Sequence, residues 1–263
     1  MTSIPAATVL LLRDSASGPE VLMVKRGENL AFAGGAMVFP GGRVDPADIV
    51  TARSPDLALN FDSLDDIDAA ARVACAREAL EETGVLLTIG EPADPIALAH
   101  ARAQLAAGPD ADEAATFAAM IAALGHRVDA ERFIPFARWE PPAAAPIKRR
   151  FDTHFYVADA GNTASAHISP DGNEAVAIHW TTAAAALAAE AAGNTALVFP
   201  TKCNLQRLAQ YDSVAAILTA AAARPAPFIQ PEIVDREGVM WLTIPLGCDY
   251  PITEDRLENL RRE

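Results

Sequence analysis

Three glutamates fall on one face at the end of a single helical segment, and any fold this chain adopts must accommodate them. The segment reads Arg77-Glu78-Ala79-Leu80-Glu81-Glu82-Thr83-Gly84-Val85. Ser63 is a good N-cap with Asp66 three residues on, so a helix is predicted from about Leu64 to Thr83, with Gly84 as the residue that ends it. At about 100° per residue, Glu78, Glu81 and Glu82 point the same way, and Ala69, Val73, Ala76 and Leu80 form a stripe suited to packing on a sheet. Like charges at this spacing repel by a few tenths of a kcal/mol per pair, and the end of a helix disfavours anions. A bound cation relieves both costs, and carboxylate oxygens suit a hard ion such as Mg²⁺ or Mn²⁺. Taken alone, the same residues also fit a solvated acidic face on an acidic protein.

Acidic the protein is. Its 263 residues carry 21 Lys and Arg against 35 Asp and Glu, a formal charge of −14. A field of that sign repels nucleic acid and anionic membranes, but it leaves room for a small anionic ligand held by local cations or a metal. Cys75, Cys203 and Cys248 are scattered and form no CxxC pair, which argues against a disulfide framework or a zinc site and places the chain in a reducing cytoplasm. The apolar run Ala6–Leu12 is too short for a signal or a membrane span.

Along the chain, Ala6–Leu12 and Glu20–Arg26 read as a hairpin of strands, followed by a glycine-punctuated stretch that ends in Phe39-Pro40-Gly41-Gly42. Residues 45–63 read as a polar loop and Val85–Ile89 as a strand. Alanine-rich helices are expected near Pro95–Ala107 and Asp112–Leu124. Strands follow at Arg132–Glu140, Arg150–Ala158 and Glu174–Trp180, then helices near 182–192 and 202–223. Late strands close the pattern near 228–234 and 239–245. Mixed strands and helices predict one α/β (α+β) domain over 1–263, with a helical insertion at about 94–130 and a C-terminal extension from about 195.

The order GG…REALEETGV resembles the Nudix box, G-x5-E-x7-R-E-U-x-E-E-x-G-U with U aliphatic. Arg77 through Val85 matches its second half, with Ala79 a weak aliphatic. Its first half is split. Counting from Gly42, the first acidic position falls on Asp48, and 28 residues then intervene where the box has 7. Counting back from Arg77 reaches Ala69, beside Asp65, Asp66 and Asp68. Either group can supply the first acid. If residues 49–62 are a surface excursion, shortening them should leave the fold intact.

The resemblance implies a mixed β-sheet sandwiched between helices, a small nucleotide-type substrate and a Mg²⁺ or Mn²⁺ cofactor, and many Nudix proteins are homodimers. It implies Glu81 and Glu82 as principal metal ligands, Glu78 as ligand or water-orienting group, Arg77 as the cation holding a glutamate, and Gly41 and Gly42 as the turn near the metal. Glu174 would add a further catalytic carboxylate. Arg138-Trp139-Glu140-Pro141, Lys148 to Tyr156 and Pro200 to Leu205 are similar to the coenzyme A diphosphatase subgroup; the chain lacks a clean copy of the coenzyme A signature that other Nudix coenzyme A hydrolases carry upstream of Gly41, and Lys25-Arg26 occupies about that region. Arg26 and the cluster Lys148-Arg149-Arg150 are therefore the candidate substrate cations, the cluster preceding a strand expected to run beside the carboxylate helix. ADP-ribose, a dinucleotide or an NDP-sugar is the alternative substrate, and a nucleotide-sensing module without turnover is the non-enzymatic one.

Overall fold

The continuous apolar run at the N-terminus can be buried only in a sheet covered on both sides. In the computed structural model, which describes residues 3–28, 33–105, 113–145, 147, 149–161, 168–172 and 175–260, this is its environment. Strand β1 (Ile4–Ser15) sends Ala7, Val9 and Leu11 into one core and Leu10 and Leu12 into the other. It pairs antiparallel with β2 (Gly18–Arg26) through the expected hairpin. The strands β3 (Met37–Val38), β4 (Gly41–Arg43), β7 (Ile134–Trp139), β8 (Phe151–Asp159), β9 (Ala175–Thr182) and β10 (Phe228–Ile229) complete a mixed eight-stranded sheet in the order β10-β7-β8-β1-β2-β3. In it β4 pairs with β1 and β9 with β2.

Helices lie on both faces, as expected of the α+β sandwich. The first core packs the sheet against α1 (Pro46–Ala52), α2 (Asp66–Thr83), α3 (Pro95–Leu105) and α4 (Glu113–Ala123). The second packs it against α5 (Ala183–Ala191), α6 (Phe199–Leu208), α7 (Val214–Ala222) and a small sheet of β11 (Glu232–Arg236), β12 (Val239–Thr243) and β13 (Glu254–Arg256). Among the described residues no helix is long and apolar enough to cross a membrane, and Cys75, Cys203 and Cys248 are free thiols.

Helix α2 is enclosed rather than amphipathic. Ala69, Ala70, Ala71, Ala74, Ala76 and Ala79 are all buried, so neighbours on every side approach its backbone closely. Its start differs from expectation. Asp65, not Ser63, is the N-cap, because its carboxylate accepts the N–H groups of both Ile67 and Asp68. Gly84 ends the helix as predicted, at φ 78°.

The segment 45–63 is not a polar loop. Asp45 caps α1 with Pro46 in its first turn, and the Asp48 carboxylate accepts the Asp45 N–H at 2.9 Å. β5 (Ala58–Leu59) then pairs with β6 (Val128–Asp129), and Phe61 enters the first core. Shortening 49–62 would therefore remove core contacts rather than a surface excursion. Arg53 ties the excursion to the start of α2, donating to the carbonyls of Phe61 and Leu64 and to Asp66. Arg53→Ala should lower the free energy of unfolding by about 1 kcal/mol, read from a urea transition. A change below a few tenths would show that these partly solvated bonds do not hold the excursion.

Three further expectations change. Val85–Ile89 forms no strand, since the only pairing described there is one bridge from Ile89 to Arg127. The helix expected over 202–223 is two, because Ser213 caps a new start and Asp14 accepts the N–H of Val214. The strand expected over 228–234 divides at Gln230-Pro231 into β10, which pairs with β7, and β11, which pairs with β12.

Candidate active site

The sequence brings acids and glycines together only through the register of β4 on β1. Gly41 and Gly42 oppose Thr8 and Ala7, at the edge where the last two turns of α2 cross. There the N–H of Gly41 donates to Glu82 Oε2 at 3.1 Å. A Cβ on Gly42 would stand 2.3 Å from Glu78 Oε1, and one on Gly41 would stand 2.4 Å from the Ala7 carbonyl oxygen. A side chain at position 41 would meet strand backbone, and one at position 42 would push the end of the Glu78 side chain aside. Gly42→Ala should displace Glu78 and lower kcat about tenfold or more with the protein still folded, given what small misplacements cost. Unchanged turnover would remove Glu78 from the chemistry.

Arg77 organises the acids. It is fully buried, its Nε and Nη2 each 3.2 Å from the Asp48 carboxylate, its Nη1 2.8 Å from Glu78 Oε1, and its Nη2 2.9 Å from the Arg43 carbonyl oxygen. Asp45 lies at 3.7 Å and Glu81 at 3.8 Å. Burial works against the Arg77 charge, but Glu78 and then Asp48 outweigh it and hold its pKa above the ordinary value. Burial raises the Asp48 pKa, and Arg77 opposes the rise. Asp48 is thus the acid that meets Arg77. Asp65 instead caps α2, Asp66 pairs with Arg53, and Asp68 binds Arg72 and the Tyr156 hydroxyl.

The Arg77 guanidinium faces four carboxylates, with Glu82 beside them, so five acids gather at a largely buried place. All donors are hard oxygens, so the set fits Mg²⁺ or Mn²⁺. Among the described residues no three His, Cys, Asp or Glu side chains already converge on one point. Mg²⁺ rarely asks for that, since it keeps several waters and is completed by substrate phosphates. Glu78 and Glu82 are buried and Glu81 is half-buried, which is unlike a solvated acidic face.

The other described candidates stand on other elements. Arg26 ends β2 at a register irregularity against β9, its N–H bonded to the Ala36 carbonyl. Arg149 is exposed before β8, while Arg150 donates to the carbonyls of Pro141 and Pro142 and so closes its own loop. β8 meets α2 at its first turns, where Tyr156 bonds Asp68, and β1 lies between β8 and the glycine turn. Lys148 and Glu174 lie outside the described residues. His154 packs near Asp152, and burial lowers its pKa. Cys75 is buried beside the site, and burial, then Glu78, pushes its thiol well above the usual range.

At this end of α2 the sequence leaves one residue's role open and does not single out another. The role of Asp48 was open, although Asp45-Pro46-Ala47-Asp48 carries a helix-start signature. Arg102 on α3 reaches the Glu81 carbonyl, and no local pattern announces that.

A family model described as the NUDIX domain matches residues 2–201. The crystal structure of a NUDIX hydrolase from Alicyclobacillus acidocaldarius is similar at 27% identity and a TM-score of 0.69, covering 86% of this chain and 98% of that one. More distant are the NUDIX domain of Shewanella oneidensis NrtR complexed with ADP ribose (12% identity, 76% of this chain and 82% of that one, TM-score 0.40) and a C. elegans Ap4A hydrolase (13%, 84% and 96%, 0.36). Neither bears on what this chain acts upon.

Proposed function

The chain belongs to the Nudix family, and on that premise we propose that it hydrolyses the pyrophosphate linkage of coenzyme A or an acyl-coenzyme A with Mg²⁺ or Mn²⁺. Nudix hydrolases are pyrophosphohydrolases acting on small nucleotide-type substrates, and this chain is one. The observation that carries the mechanistic reading is the cluster of Glu78, Glu81 and Glu82 against Gly41-Gly42, organised by the buried Arg77–Asp48 pair.

In this reading Glu78, Glu81 and Glu82 hold the cation. When bound, the metal offsets charge on the bridging phosphates and makes its water a better nucleophile. The chain's own part is orientation. The Gly41 N–H aims Glu82, while Arg77 holds Glu78, which orients the attacking water. Asp48 keeps Arg77 in place. Glu174 is proposed as the further carboxylate. Arg26, Lys148, Arg149 and Arg150 are proposed for the substrate's phosphates; Arg149 is the better probe because Arg150 already serves its loop.

Support for coenzyme A comes from the resemblance of Arg138–Pro141, Lys148–Tyr156 and Pro200–Leu205 to that subgroup. The test is a metal-supplemented hydrolysis screen over coenzyme A, acyl-coenzyme A, ADP-ribose, NADH and dinucleoside polyphosphates. Preferred turnover of coenzyme A is expected. Preference for ADP-ribose or a dinucleotide replaces the substrate, and binding without turnover of any of them makes the chain a sensor. If Arg149 reads the 3′-phosphate, Arg149→Ala raises KM for coenzyme A by about tenfold or more, the equivalent of ~1.5–3 kcal/mol for a charged hydrogen bond, and spares dephospho-coenzyme A. Equal losses on both substrates place Arg149 elsewhere.

A further inference from the structure

The last turn of the carboxylate helix does not hold itself. A helix leaves its final carbonyls without intrahelical partners. In α2 the Leu80 carbonyl accepts the Gly84 N–H at 2.8 Å, and the Thr83 carbonyl accepts the Ser169 N–H at 3.2 Å. The Glu81 carbonyl is taken by Arg102 of the inserted helix α3, through Nε at 3.0 Å and Nη2 at 2.9 Å. The same guanidinium grips Ser169, with Nη1 2.7 Å from its Oγ and Nη2 2.6 Å from its carbonyl oxygen. Ser169 in turn leads to Asp171, whose carboxylate accepts the Ala175 N–H at the start of β9.

We infer that Arg102 is a positioning residue that fixes the backbone of Glu81, and through Ser169 the approach to β9, so that the insertion sets the geometry of the carboxylate cluster. The planar guanidinium is suited to this because it makes four contacts to two carbonyls and a hydroxyl from one rigid fork, where an ammonium offers three donors on a single atom. Its charge also complements the end of the helix dipole, where the glutamates add to the negative potential. The insertion is therefore part of the site's scaffold, not an appendage beside it. This rests on the proposed metal role of Glu81.

Position and charge predict opposite signs for metal binding. Loss of a nearby positive charge, acting alone, strengthens the attraction of a divalent cation. Loss of the clip loosens Glu81 and weakens it. The experiment is Mn²⁺ titration of the full chain without substrate, with free Mn²⁺ read by electron paramagnetic resonance, for wild type, Glu82→Gln, Arg102→Ala and Arg102→Lys. Expected is wild-type binding that Glu82→Gln abolishes and that both Arg102 variants weaken by about tenfold, the usual cost of losing a partner that orients a ligand. Arg102→Lys keeps the charge, so weakening there isolates the clip, and it carries the test if Arg102→Ala does not fold. Binding lost in Glu82→Gln but unchanged or tightened in the Arg102 variants overturns this inference alone. A wild-type chain that binds no Mn²⁺ overturns both it and the metal site.

Discussion

Glu82→Gln is expected to lower kcat by about a hundredfold or more while leaving the protein folded, as when one charge-stabilising group is removed from an active site. The substitution is chosen because Glu82 is buried and its Oε2 accepts the Gly41 N–H at 3.1 Å. A glutamine carbonyl can still accept that bond, so this contact survives while the charge is lost. Thermal unfolding should move by no more than a hydrogen bond's worth, about 1 kcal/mol. Steady-state kinetics across a Mg²⁺ titration is the measurement. Near-normal turnover in a folded variant would take Glu82 out of the metal site.

The largest stability effect belongs to Arg77. Its removal leaves Asp48 and Glu78 buried without the cation that offsets them, and breaking a buried pair from one side costs about 3–5 kcal/mol. Arg77→Ala should lose that much in denaturant unfolding at neutral pH. Asp48→Asn in the same chain should recover part of it, because one stranded charge is gone. The pH dependence has a definite sign. Burial already raises the Asp48 pKa against the pull of Arg77, so without Arg77 it rises further. Over the window between the unfolded and folded values the native state then binds more protons than the unfolded one, and stability increases as pH falls. The deficit of Arg77→Ala relative to wild type should therefore shrink on acidification. A loss below about 1 kcal/mol, or a deficit that grows in acid, would mean that the acids are solvated once Arg77 is gone.

Local chemistry determined a good deal of this protein without tertiary information. The apolar runs of β1 and β2 allow only a strand covered on both faces, Gly84 ends α2, and the spacing of Glu78, Glu81 and Glu82 puts their carboxylates on one side. Each depends on neighbours within a few residues, which is why it is legible in one dimension. Tertiary structure decided the rest. A stripe predicted to face a sheet became a helix enclosed over most of its length, since α1, together with α3 and α4 of the insertion, covers the side that periodicity left to solvent. Asp48 was one of several equivalent aspartates until the fold of α1 brought it 3.2 Å from Arg77, across 29 positions of sequence. In the sequence Arg102 is one more charge on an alanine-rich helix, and only the packing of α3 against α2 makes it the partner of Glu81. Backbone caps and strand runs are local, whereas the pairing of a buried charge is decided by whichever distant segment the fold delivers to it.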